Sequence, residues 1–507
     1  MQKGQDMNLE KARQDFAKIQ KNISSIDYAI DLLIFDGETA APPNSASNRI
    51  FTLEIMNDEL YSMKFGEEMA EIVECLKENE SELNLVEKRS LTLLMREMDR
   101  IKRISKEEYA KYQSLTATTA NAWHQANEAD DYELLRPHLE GLFESARKFG
   151  ESANPEISPY EYFLNIHEPG SSTEAYDAVF DIVRQNIVPL LKQIQERPQV
   201  DSSCLIGDYS AKKQEELAFY IMELMGLNMD NVGLATSAHP FIREIGSHFD
   251  ERITTRYSRR DFTFSLYTIL FSCGCALAGQ GQDDDVAYTY ADGSGSIGLL
   301  EGQTRFYEHI IGRSKPFINY IYPKLKALFP TSIKDSTPED LYLAINKVEA
   351  GPIRAGSDEV TNNLHVLVRY ELEKALMSGD LSCKDLPDAW AEKYMEYLGV
   401  KVENPTQGIL QDILWADGII GYFPTGVLGN VYSALTLDRL SRDVDFESCV
   451  SKGDFASINE WNREHVWRHM GLYDGKEVME KFLGISSLDG SRYVEYLKNK
   501  YSEIYKF

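Results

Sequence analysis

The chain has 507 residues, 43% of them hydrophobic, enough for a large buried core in two or three domains or in one elongated helical unit. Charged residues make up 26%, with a net charge of −28 and an isoelectric point near 4.8. That acidity repels nucleic-acid phosphates and anionic lipid headgroups and argues against both as partners, while basic peptides stay compatible.

Met1 to Asp6 open into a charged helix with no apolar segment of the signal-peptide kind. The six cysteines are scattered apart from Cys273 and Cys275, which favours a reducing compartment, so the expected location is cytoplasmic. Ser105 and Glu108 have capping-box spacing ahead of a helix running towards Ala126. From Ser171 to Ile194, apolar residues such as Ala175, Val179, Ile182, Val183 and Ile187 recur three or four apart and predict a helix, with Ser171 and Glu174 as its capping box. Strand signals are few. Arg252 to Tyr257 is rich in β-branched residues, Val286 to Tyr290 alternates, and Ile353-Arg354 is a candidate third strand. The longest mostly apolar run, about Leu266 to Gly279, is too short to span a bilayer and reads as a buried helix, followed by a loop from Gly279 to Gly298. Thr337-Pro338 opens another helix, and two or three short ones lie between Ser457 and Phe507. No repeat, linker or domain boundary is visible. Residues 1–507 are therefore read as a single, mainly α unit with one small sheet beside a central site.

Several short segments have a joint meaning. In chain order they are His239-Pro240-Phe241, Asp250-Glu251-Arg252-Ile253-Thr254, Glu301-Gly302-Gln303, Ile353-Arg354 with Asp358-Glu359, Gly408-x-x-Gln411-Asp412-x-Leu414-Trp415, and Gly421-Tyr422-Phe423-Pro424-Thr425. Asp36-Gly37-Glu38-Thr39 and His167-Glu168-Pro169-Gly170 precede them, Leu364-His365 lies among them, and Ile458 to His465 follows. Together they resemble the carboxypeptidase Taq family of metallocarboxypeptidases, whose patterns are H-P-F, D-x-R-x-T, H-E-x-x-H, H-E-S-Q/R, I-R-x-x-A-D-E and G-x-x-Q-D-x-H-W. The resemblance covers nearly the whole chain. It implies a mainly α, elongated, saddle-like fold with a central groove and a small antiparallel sheet near the site, similar to neurolysin and angiotensin-converting enzyme. It also implies a homodimer, one zinc or cobalt ion, and release of C-terminal residues from peptides.

At the centre of the resemblance the chain departs from the family. Two histidines four apart on a helix grip one zinc ion, a glutamate from a later helix completes the set, and the glutamate inside the motif takes the proton from the attacking water. Aligning Gly274-Cys275-Ala276-Leu277 with the family's G-H-A-L puts Phe271 and Cys275 at the two histidine positions and Ser272 at the general base. Glu301 remains at the third ligand position, beside Leu300 in place of a histidine. Leu414 replaces the histidine of Q-D-x-H-W, and Gly426 and Asn362 replace two tyrosines. The expectation is a pseudo-carboxypeptidase: no catalytic residue retained, no metal cofactor, and possible partners in peptide C-termini. The alternatives are a peptidase with an unusual metal centre around Cys275 and Glu301, or a structural dimer partner of an active paralogue.

Four residues carry the expected substrate contacts. Arg354, at the family's carboxylate-binding position, is read as a clamp for a terminal carboxylate or as a salt bridge to Asp358 or Glu359. His239 is read as lining the groove or as a satisfied core histidine. Arg252 and Thr254 support the groove through hydrogen bonds. Gln411 and Asp412 are read as former metal-site support or as helix packing, Cys273 and Cys275 as small buried apolar residues, and Arg305 as a partner for Glu301.

Overall fold

The computed structural model describes residues 7–507, without the side chains of Ile101, Lys106 and Glu107. The expected helical opening at Met1–Asp6 lies outside the described residues. Four helices come first: α1 (Leu9–Thr39), α2 (Ala46–Phe65), α3 (Glu67–Glu78) and α4 (Leu85–Lys102). The Asn8 side chain accepts the Lys11 backbone N–H and caps α1, and Phe16, Ile23, Met69, Ile72 and Leu94 form the shared apolar core of this layer. Then come α5 (Lys106–Ala129), α6 (Tyr132–Ala153), α7 (Pro159–His167), α8 (Thr173–Gln195) and α9 (Ala211–Met225), followed by a sheet of β1 (Val232–Thr236), β2 (Ile242–Ile245) and β3 (Ser247–Thr255).

Helices α10 (Thr263–Gln280) and α11 (Ile297–Arg305) follow, and α11 widens into a π-helical turn over Phe306–Ile311. The remaining helices are α12 (Lys315–Leu328), α13 (Pro338–Ile345), α14 (Thr361–Ser378), α15 (Leu386–Leu398), α16 (Pro424–Leu440), α17 (Phe446–Lys452), α18 (Phe455–His465), α19 (Gly475–Leu483) and α20 (Ser491–Tyr505). A second, larger apolar core runs from α5 to α20. No described helix is long and apolar enough to cross a membrane.

The mainly helical expectation holds, and both the Ser105–Glu108 capping box and the Thr337-Pro338 start are observed. Three details differ. The cap of α8 is Ser172, whose side chain accepts the Ala175 N–H, rather than Ser171. The sheet is mixed rather than antiparallel: central β3 runs parallel to β1 and antiparallel to β2. Val286–Tyr290 and Ile353-Arg354 are turns and short 3-10 segments, not strands. Gly246, at φ +70°, makes the tight corner between β2 and β3 beneath Tyr28 of α1, where a Cβ would lie 2.9 Å from that side chain.

Candidate functional site

The site forms where α10, α11 and the N-terminus of α16 meet. Gly274 lets α10 and α11 touch at backbone distance, since a Cβ there would lie 2.5 Å from the Gln303 carbonyl oxygen. Gly429 does the same between α16 and α11, where a Cβ would meet the Cβ of Glu301 at 2.7 Å. These contacts fix Phe271 and Cys275 of α10 against Glu301 of α11. Ser272 and Cys273 face the interior, at 1% and 0% exposure.

Glu301 has two neighbours. The Tyr422 hydroxyl donates to its Oε1 over 3.4 Å, and Arg305 Nη2, one helical turn later, lies 3.5 Å from its Oε2. The charge on Glu301 and burial both push the Tyr422 phenol up, so it stays a donor. Arg305 also donates to Glu308 Oε2 at 2.6 Å, and its guanidinium carbon lies 5.2 Å from the centre of the Phe271 ring. Burial opposes charge on Glu308, but His309 and Arg305 outweigh it and hold that carboxyl well below the usual range. One guanidinium thus stands between two carboxylates, with an aromatic ring where a ligand histidine is expected.

A zinc or cobalt site needs several nitrogen, thiolate or carboxylate donors converging on one point. Phe271 has no donor atom. Burial, with the charges of Glu251, Glu244 and Glu301 adding to it, holds the Cys275 thiol protonated. The oxygens of Glu301 are turned to Tyr422 and Arg305. No three His, Cys, Asp or Glu side chains among the described residues are grouped to hold a metal ion. The residues at this position therefore do not fit the metal that the resemblance implies. The other exchanged positions are equally mute: Leu300 and Leu414 pack half-buried on the core, Asn362 donates to Ser357, and the place of a Cβ on Gly426 is open except for Val366 at 3.7 Å.

Arg354 sits in a second charge cluster. Its Nη2 and Nε bond the Asp412 carboxylate, Nη2 at 2.6 Å, and Asp412 also receives Arg369 Nε at 2.7 Å. Burial opposes charge on Asp412, but the two arginines hold it well below the usual carboxylate range. Gln411 accepts the Arg354 backbone N–H. Residues 408–415 are turns rather than helix, so Gln411 and Asp412 brace Arg354 instead of packing on a helical face. Asp358 and Glu359 are engaged elsewhere, Asp358 capping α14 and Glu359 with Lys500. The ion-pair partner of Arg354 is therefore Asp412.

His239 is exposed in the loop between β1 and β2, which removes the core-histidine reading. Thr254 is fully buried behind that loop and ties it down, its Oγ1 accepting the Phe241 N–H at 2.8 Å and the Ser237 hydroxyl at 2.8 Å. Arg252 is paired with Asp250 on the same strand, Nη2 to Oδ2 at 2.7 Å. Sequence reasoning missed Arg369, Tyr422 and Glu308. Glu308 was within reach, three residues after Arg305 on a helical face.

A family profile described as "Carboxypeptidase Taq (M32) metallopeptidase" matches residues 15–501. Carboxypeptidase 1 of Bacillus subtilis is 31% identical over 98% of this chain and 100% of its own length. Thermostable carboxypeptidase 1 of Pyrococcus furiosus is 34% identical over 97% of this chain and 98% of its own. Among solved structures, the M32 carboxypeptidase from Deinococcus radiodurans superposes with a TM-score of 0.94 at 27% identity, covering 98% of this chain and 100% of that one.

Proposed function

The chain belongs to the carboxypeptidase Taq (M32) family of metallopeptidases, and from that premise we propose that it keeps the family's recognition of peptide C-termini without hydrolysing the peptide. The observation that carries this reading is the Arg305 guanidinium, placed between Glu301 and Glu308 and against Phe271. It supplies a fixed positive charge to the one retained ligand position, and no general base stands at Ser272. Zinc and cobalt belong to the family's chemistry, and the donor set here gives them no purchase.

Recognition rests on the second cluster. Two guanidiniums share one carboxylate, so Arg354, Arg369 and Asp412 carry a net positive charge. Arg369 is fully buried, while Arg354 keeps 27% of its side chain exposed. Arg354 Nη1 makes no hydrogen bond among the described residues. A terminal carboxylate arriving there would complete the fork. Unpaired cysteines support a reducing, cytoplasmic setting. The solvent face of α2, with Ile50, Phe51 and Ile55 more than half exposed, supports self-association as a homodimer.

The test is calorimetric binding of one short peptide in two forms, with a free and with an amidated C-terminus. The free acid is expected to bind and the amide to bind more weakly. Arg354→Ala is expected to cost the free acid about tenfold to a hundredfold in affinity, the worth of a charge-assisted hydrogen bond. Equal binding of acid and amide would contradict the reading.

A further inference from the structure

A cavity of about 380 Å³ lies between α1, α2, β2 and the loop after residue 287. Four carboxylates line it, Asp27 and Asp31 from α1, Glu244 from β2 and Asp292 from the loop, against a single lysine, Lys64. Two of the four are already matched: Asp31 receives Arg243 Nε at 2.6 Å, and Asp292 lies 3.1 Å from His248 Nδ1. Lys64 is directed to Glu97 at 3.2 Å. Asp27 and Glu244 have no hydrogen-bond partner among the described residues.

Behind Glu244 stands its cross-strand neighbour Glu251, 2% exposed and equally without a partner among the described residues. Both carboxylates converge on Gly279 of α10, where a Cβ would lie 2.4 Å from Glu251 Oε1 and 3.4 Å from Glu244 Oε2. A buried carboxyl left unmatched carries a desolvation cost that an entering cation would remove. The other wall is aromatic. Tyr290 lines the cavity, its ring stacked on Phe16 and approached by Lys64 Nζ at 5.9 Å, and Tyr288 stands 44% exposed, held at φ +62°, an uncommon backbone for a bulky residue.

We propose that this cavity binds an organic polyammonium ion, through Asp27 and Glu244 with Glu251 behind them and the exposed ring of Tyr288. Carboxylates spread over such a volume suit an extended cation better than a point charge, and the phenol ring adds cation–π attraction. The ion has two possible sources, a free polyamine or the lysines of a peptide. The site is separate from the Arg354 cluster and does not depend on the reading proposed for it.

Burial and Asp292 push Glu244 up to about 8, against the opposing charge of His248, with Asp31 adding to the rise. Burial, Glu244, Asp292 and Asp250 push Glu251 up as well. Arg243, Lys64, Asp27 and the Cys275 thiol also stand near the pair. Both carboxyls are pushed towards the protonated form, so an incoming ammonium ion displaces a proton and affinity rises with pH.

Calorimetry of the full chain with spermidine, and separately with a C-terminally amidated lysine-rich peptide, tests this. The expected result is one saturable site for at least one ligand, with proton release. Glu244→Gln, and independently the more accessible Asp27→Asn, are expected to weaken it about tenfold or more. Arg354→Ala should leave it unchanged, which separates this site from C-terminus recognition. Spermidine binding identifies a polyamine site, and binding of the peptide alone identifies a lysine-reading pocket. Absence of saturable binding, or diffuse binding that both folded variants retain, as expected of a cation condensing on a chain of charge −28, would overturn the proposal.

Discussion

Asp412→Asn is expected to lower the free energy of unfolding by about 3–5 kcal/mol, the range for removing one partner of a buried ion pair. Among the described residues Asp412 is the only carboxylate bonded to both Arg354 and Arg369, and the Arg369 side chain has no solvent exposure. Asparagine fits the space and leaves a buried guanidinium without a counter-charge. Urea unfolding measures the effect, and Arg354→Gln is the control. That variant keeps the Arg369–Asp412 pair and removes only a partly exposed cation, so about 1 kcal/mol or less is expected. The pH dependence has a definite sign. The native Asp412 carboxyl lies well below its unfolded value of about 3.9, so its contribution is complete above that value and fades as pH falls towards the native one. Wild type and variant should therefore differ by a constant amount at neutral pH and converge only in strong acid.

Arg305→Met is expected to cost about 3 kcal/mol, the low end of the same range, because Arg305, Glu301 and Glu308 keep 13–19% of their side-chain surface exposed. Methionine retains the stem's packing on Phe271 but leaves Glu301 without its cation, while Glu308 keeps His309 at 3.4 Å. The double variant Arg305→Met/Glu301→Gln should recover part of the loss, since the stranded carboxylate is then neutral. A double-variant cycle with a coupling energy near zero would mean that the two side chains are neighbours without interacting.

Legibility in the sequence followed the range of the interaction. Helices were readable where caps and periodicity act within a few residues, as at Ser105, Thr337 and the apolar run of α10. The pairing of Glu301 with Arg305 was readable for the same reason, one helical turn apart. Of the strands, only the end of β3 was, at residues 252–255. β1 is interrupted by Gly233 and β2 carries Arg243 and Glu244, so neither has the β-branched density that marks a strand. Val286–Tyr290 alternates in sequence but turns in the structure, where Tyr288, Thr289 and Tyr290 all line one cavity. The Arg354–Asp412 pair was hidden by distance: its partners are 58 residues apart, while the nearer carboxylates Asp358 and Glu359 are drawn off by a helix N-terminus and by Lys500. The losses at Phe271, Ser272 and Cys275 could be read from motif register. What fills the vacated place, an arginine held over a phenyl ring, required the fold.

On the proposed function, Arg305 supplies at Glu301 the positive charge that a metal ion supplies in the family. Titration of the purified chain with zinc, and separately with cobalt, by calorimetry tests it most directly, with hydrolysis of a short peptide followed in the same solutions. The expected result is no stoichiometric high-affinity site and no metal-dependent release of C-terminal residues. One tightly bound ion per chain, lost in Glu301→Gln and accompanied by turnover, would contradict it.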